Sequence, residues 1–213
     1  MYNITLIGTH HSEIGKCNSD ELYKIIVSIS PEVIFDERPS NCNPETLEKK
    51  CIEKYLQNHN IEDIPVDIYV SPKSDELSMF TEFIKWCSEY KEIINERELL
   101  IEQEGFDYLN SEIFFDLFEK KRNIEKQLID NNVFYKNDLL RIFNSFLEDI
   151  DTRENAMLKN IYNYSKENQY NQAVFLIGAD HRKSIMQKSI EYEKMSEIKL
   201  NWTVYGNKQK TSR

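Results

Sequence analysis

Two stretches at opposite ends of the chain, NITLIGTHH at 3–11 and QAVFLIGADH at 172–181, share one pattern. Each is an apolar run, then Ile-Gly, two further residues and a His. Residues 173–177 (AVFLI) carry no polar side to turn toward water, the habit of a strand buried on both faces in a parallel sheet. Residues 2–7 are rich in β-formers and end at Gly8, so they too read as a buried strand followed by a loop. Such strands need helices on both faces and neighbours on both edges. The sheet must therefore draw strands from both ends of the chain.

The remaining punctuation agrees. Asn18-Ser19-Asp20 offers an N-cap, Leu22, Ile25, Ile26 and Ile29 follow at helical spacing, and Pro31 ends that helix. Residues 33–35 (VIF) form a second short strand that runs into Asp36, Glu37, Arg38 and Pro39. Strand, helix and strand in close succession make a βαβ unit with a parallel pair and a right-handed crossover. Residues 43–65 read as a polar helix and a loop, 65–70 as a third strand, 75–126 as helical, and 137–165 as one or two further helices. A helix from His181 to Glu193 and a strand over 199–205 complete the chain. The predicted fold class is α/β: a mostly parallel mixed sheet built from both chain ends, flanked by helices. The whole of 1–213 is one domain, with 75–165 a helical insertion or cap.

Composition narrows the partners. A formal net charge of -10 speaks against a general affinity for nucleic acid or an anionic membrane, both of which favour basic patches. A peptide or small-molecule substrate is the expected partner, with no nucleic acid and no membrane, and a homodimer is compatible with the sequence. Cys17, Cys42, Cys51 and Cys87 have no CxxC spacing and read as free thiols in a reducing compartment. Met1 leads straight into a strand without a basic n-region, and no window approaches the ~20 apolar residues of a membrane span. The expected address is the cytoplasm.

The chemistry is concentrated at strand ends. In open parallel sheets ligands sit beyond the carboxyl ends of the strands. His10 and His11 follow one such end, His181 follows another, and Glu37 a third. Gly8 and Gly178, two of only five glycines, let the backbone turn or approach a ligand there. Two readings follow. His11, His181 and Glu37 could ligate a divalent metal (Mn, Co or Zn) that activates water. Alternatively a His acts directly as general base, with a carboxylate orienting it and an Arg stabilising the oxyanion. A lone His after a strand is more often a turn residue; the matched pair and the acidic strand end weigh against that here. His59, in a polar loop, reads as a surface residue. In DTRENAM (151–157) Asp151 or Thr152 is a plausible N-cap, which puts Arg153 in a first helical turn, either at the surface or aimed into the site as an anion clamp. Arg38, His10, Asp180 and Arg182 are the remaining substrate-binding candidates, and Asp36 competes with Glu37. There is no GxGxxG, P-loop, GxSxG or HExxH.

The arrangement resembles the TraB/PrgY group, with the Tiki metalloproteases and, more distantly, the erythromycin-esterase and ChaN-like proteins. LIGTHHS matches an opening Gly-x-x-His strand at Gly8 and His11. PEVIFDERP matches a strand ending in an acidic residue at Glu37. TRENAM matches an Arg-led helix start at Arg153, and FLIGADHRKSI a closing Gly-x-x-His at Gly178 and His181. The resemblance implies an α/β fold and hydrolysis. In Tiki-type members this is metal-dependent peptide cleavage by the two histidines and the carboxylate; in the esterase-type relatives it is His-mediated and metal-free. The middle third carries no part of the resemblance.

Overall fold

The computed structural model describes residues 2–39, 45–68 and 74–206, without the side chains of residues 74, 75 and 77. The elements run β1 (Tyr2–Thr9), α1 (Ser19–Ile29), β2 (Val33–Pro39), α2 (Leu47–Leu56) and β3 (Glu62–Asp67). Then come α3 (Ser74–Ile84), α4 (Ser88–Glu104), α5 (Phe106–Leu109), α6 (Glu112–Asp130) and α7 (Lys136–Glu167). β4 (Gln172–Gly178), a 3-10 turn at Ala179–His181, α8 (Arg182–Met195) and β5 (Leu200–Val204) finish the chain. The sheet has the order β3-β2-β4-β1-β5. All four strand pairings are parallel, so the sheet among the described residues is wholly parallel rather than mixed. β4 is central, bonded to β1 on one side and β2 on the other. The two matched sequence runs are thus direct neighbours.

Alternation along the strands divides the core. Ile34, Val174 and Leu176 face α1, α2 and the α4–α6 region. Val33, Phe35, Ala173, Phe175 and Ile177 face α7 and α8. A third cluster of Phe80, Ile84, Ile129, Leu139, Ile142 and Phe143 joins α3, α6 and α7 away from the sheet. Among the described residues no helix is long and apolar enough to cross a membrane.

Local chemistry sets the boundaries. Asn18 caps α1 by accepting from the Glu21 N–H at 3.0 Å, and Ser30 closes it in the left-handed region with Pro31 behind. The third strand begins and ends three residues earlier than the 65–70 span predicts, and residues 69–70 lie outside the described residues. Pro65 is tolerated because β3 is an edge strand, where a missing N–H removes no ladder bond. The expected one or two helices over 137–165 are a single helix of 32 residues, about 48 Å long at 1.5 Å per residue. Asp151 and Thr152 are therefore not caps, and Arg153 lies inside a helix rather than in its first turn. No Gly or Pro interrupts α7, and its apolar positions continue through this polar stretch.

The helical region is anchored to the loop after β1 by backbone contact. Lys16 donates its N–H to the Glu102 carbonyl at 2.9 Å, and α4 ends at Gly105 with φ +60°. A Cβ on Gly105 would lie 2.8 Å from the Lys16 carbonyl carbon and oxygen. Gly105→Ala is therefore expected to destabilise the fold by about 1–3 kcal/mol, combining left-handed strain with a backbone clash. Urea denaturation at constant m-value measures it.

Candidate functional site

Register places the three strand ends at one edge. Thr9 lies opposite Gly178, and Asp36 opposite Leu176. His11 follows β1 by two residues, and the 3-10 turn after β4 carries Asp180 and His181. Gly178 forms the floor between them. A Cβ built there would stand 3.2 Å from Glu37 Oε2, 3.5 Å from His11 Nε2 and 3.6 Å from His181 Cδ2. His11, Glu37 and His181 thus converge on one point, and the missing side chain of Gly178 leaves room for them. Gly8 serves closeness of another kind: its own Cβ would lie 3.2 Å from Ala179 Cα and from Asn110 Oδ1. Asn110 accepts from the Gly8 N–H at 2.7 Å and donates to the Gly8 carbonyl at 3.0 Å, which fastens the end of β1 to the segment after α5.

The open choices resolve by position. His11 rather than His10 meets Glu37. His10 lines the adjoining cavity and donates through Nδ1 to the Ser12 carbonyl at 2.9 Å. Glu37 rather than Asp36 is the carboxylate at the convergence. Asp36 instead takes the Arg38 Nε at 2.7 Å, and burial pushes its carboxyl up to about 7 against that pairing. Arg38 also binds Asp63, so its guanidinium is committed between β2 and β3 and is not brought to the cavity as a substrate ligand. Arg182 is likewise not at the cavity: it is buried, donates to the Ser111 carbonyl at 2.7 Å and stacks over Phe115 at 4.1 Å. Burial pushes it down to about 10. His59 is half-buried and stacked flat on Tyr55, with ring centroids 3.9 Å apart.

Each site histidine is held from behind by a buried carboxylate. His11 Nδ1–H donates to Glu48 Oε1 at 3.0 Å, and Thr9 donates to the same oxygen at 2.5 Å. His181 Nδ1–H donates to Glu154 Oε1 at 2.7 Å; Ser184 and Lys188 donate to the other Glu154 oxygen at 2.5 and 2.7 Å. This fixes both tautomers and turns each Nε2 toward the site. The Glu48 hydrogen bond holds the His11 imidazolium, pushing it up to about 9. Burial works against charge on His181, yet Glu154 and Glu37 together raise it above the ordinary histidine value. Glu48 and Glu154 are both lowered, burial opposing and the histidines prevailing.

Glu37 is gripped on both oxygens. Oε2 accepts the Gly178 N–H at 2.5 Å, and Oε1 accepts from Arg153 Nη2 at 2.7 Å with His181 Nε2 at 3.4 Å. Arg153 also donates to Asp67 through Nε at 2.9 Å and Nη2 at 2.6 Å. Sequence reasoning missed Glu48, Asp67, Asn110 and Glu154. Glu154 adjoins Arg153 in TRENAM and Asp67 ends β3, so both carried a signal; Glu48 lies in a polar helix and carried none.

A cavity of about 450 Å³ opens over the convergence. Thr9, His10, His11, Ser12 and His181 form its polar side, and Ile94, Ile101, Leu109 and Phe114 from the helical region form its apolar side. A larger surface groove of about 720 Å³, lined by Lys16, Glu21, Lys24 and Asp107, holds no histidine and no strand-end residue, so the smaller cavity is the candidate site.

Two imidazoles and a carboxylate are suitable in kind for a divalent ion. In arrangement they do not fit one. His181 presents its Cδ2 edge to the shared point with Nε2 turned to Glu37, and both Glu37 oxygens are engaged. Among the described residues no group of three His, Cys, Asp or Glu is placed to hold an ion. As it stands the site is a hydrogen-bonded charge cluster. Comparison with protein-family models, curated proteins and solved structures found no match.

Two outcomes are expected. Gly178→Ala places a methyl 3.2 Å from Glu37 Oε2 and 3.5 Å from His11 Nε2, and crowding this point should destabilise the fold by about 1–3 kcal/mol; urea denaturation curves check it. Because both histidines titrate above 6.5 when folded, their stabilisation is fully present below 6.5 and is lost as pH rises, for His11 through about 9. Urea midpoints should therefore fall between about pH 6 and about pH 9.5, and Glu48→Gln should flatten part of that decline.

Proposed function

We propose that the protein hydrolyses an ester or peptide bond, as a TraB/Tiki-type hydrolase. The observation that supports this best is the meeting of His11, His181 and Glu37 at Gly178, on the cavity that both histidines line, each histidine backed by a buried carboxylate. Every residue carrying the TraB resemblance (Gly8, His11, Glu37, Arg153, Gly178, His181) lies in or beside that meeting place.

In the reaction, neutral His11 takes a proton from water at Nε2 as the water oxygen adds to the substrate carbonyl carbon. The carbonyl electron pair moves to oxygen, where the His181 imidazolium offers positive charge. The carbon–oxygen or carbon–nitrogen bond then breaks, and the leaving group takes the proton from His11. One water is consumed per bond. Glu48 and Glu154 hold the ring tautomers; Arg153 positions Glu37 beside His181. A divalent ion such as Mn, Co or Zn, which the resemblance implies, has no part in these steps.

The test is hydrolysis of p-nitrophenyl esters and dipeptides by wild type, His11→Ala and His181→Ala, with and without chelator. Both variants should lose about 100-fold or more. The wild-type rate should rise with pH as His11 loses its proton, through about 9, and fall again where the His181 imidazolium is lost; chelation should leave it intact. Activity lost on chelation would select the metal-dependent form, and equal turnover in all proteins would overturn the reading.

A second reading is a binding protein that holds an anionic ligand without turnover. It is favoured by the His11 imidazolium, which persists to about 9 and so faces the cavity as a cation at neutral pH. Ligand binding would then weaken as pH rises through about 9, opposite in sign to the hydrolytic profile.

A further inference from the structure

We propose that the protein forms a two-fold dimer by joining the β5 strands of two copies edge to edge and antiparallel, so that one sheet runs through both. β5 ends the sheet beside β1, and among the described residues no strand borders its other side. The two strands pair in parallel with Leu6 opposite Val204, and Tyr205 turns its N–H inward to the Leu6 carbonyl at 2.9 Å. Along a strand, successive residues point their N–H and C=O to alternate sides. Asn201 and Thr203 therefore bond to β1, and Leu200, Trp202 and Val204 point their backbone groups outward.

The two edges of the sheet differ. An open edge is a template for another strand, and proteins blunt it with proline, charge or a cover. β3 carries Pro65 and the acids Glu62, Asp63 and Asp67. β5 (LNWTV) has neither proline nor a charged residue. Its outward pattern is also its own complement. With a two-fold axis through Trp202, perpendicular to the sheet, Leu200 of one copy meets Val204 of the other and the two Trp202 backbones meet each other. Each outward N–H then finds a C=O.

The same axis brings α8 alongside its copy. A groove of about 430 Å³ runs between α8 and β5, with Met186, Ser189, Ile190 and Glu193 on one helix face and Lys199 and Trp202 opposite. Met186 and Trp202 pack on the core cluster beneath, and Ile190 is 56% exposed, so the groove carries that core outward to the edge. Its two charges are of opposite sign and adjoin each other, Lys199 Nζ donating to the Glu193 carbonyl at 2.5 Å. In a chain of net charge -10, this is a border that a second copy approaches without opposing like charges.

Sedimentation velocity under reducing conditions, from about 1 µM to about 1 mM, should show the monomer giving way to a species of twice its mass. Val204→Pro removes an outward N–H and none that bonds to β1, and an edge strand tolerates proline. It should raise the dissociation constant at least about tenfold, as should Ile190→Lys, while urea midpoints report whether each variant is folded. Asn201→Cys combined with Thr203→Cys tests the register by a gain that misfolding does not produce. In this pairing residue 201 of one copy lies opposite residue 203 of the other, at a separation a disulfide spans. The double variant should cross-link into dimers on mild oxidation far more than either single variant or the wild type. A wild type still monomeric at about 1 mM, a dimer that folded Val204→Pro and Ile190→Lys leave unchanged, or a double variant that does not cross-link would each overturn the proposal.

Discussion

The placement of β4 between β1 and β2 is the constraint on which the rest depends. Seven residues from near one end of the chain pair with the opening strand on one side and the second strand on the other. Strand pairing at this register leaves no freedom in where the strand ends lie: Thr9 faces Gly178, and the chain beyond each must turn at one edge of the sheet. Alternation then sends Phe175 and Leu176 to opposite cores and leaves Gly178, at the last position, to offer its N–H to Glu37. Two buried layers hold this edge still while the loops that emerge from it carry the chemistry.

Around that edge four carboxylates are taken out of water. Glu37, Glu48, Asp67 and Glu154 have side chains only 2–5% exposed. Removing such groups from solvent costs several kcal/mol each unless they are paired and hydrogen-bonded, and such pairs add little net stability. His11, His181, Arg153 and Lys188 supply the pairing; among the described residues, only Glu48 Oε2 of these carboxylate oxygens is buried without a partner. A hydrophobic cluster of the same volume would stabilise the fold as well. The arrangement makes sense as preorganisation of two imidazoles, which is a functional property and not a folding one.

How much of this was legible in the sequence follows from what each signal encodes. The unbroken apolar run 173–177 and the matched Ile-Gly-x-x-His ends encode burial and neighbourhood, so the parallel core and the meeting of Gly8, His11, Glu37, Gly178 and His181 could be read directly. The boundary of β3 could not, because Pro65 is a strand breaker everywhere except on an edge, and edge position is a property of the sheet. Arg153 was legible as a site candidate but not as an interior helical residue, since a polar stretch resembles a cap until the packing on either side is known. Arg38 and Arg182 illustrate the opposite error. Adjacent to site residues in sequence, they are carried by strand alternation and helical rotation to other partners. Glu48 reaches His11 from α2, and Arg97 reaches the cavity from α4, through tertiary packing alone, which no local pattern records.

Both site histidines are held as imidazolium by a carboxylate at Nδ1, with His11 Nε2 toward Gly178 and His181 Nε2 toward Glu37. Nuclear magnetic resonance of the histidine ring nitrogens across a pH titration tests it without any substrate. The account predicts two rings that titrate above the ordinary 6.5, His11 at about 9, with Nδ1 protonated throughout. Two rings that both titrate at 6.5 and exchange freely between tautomers would contradict it.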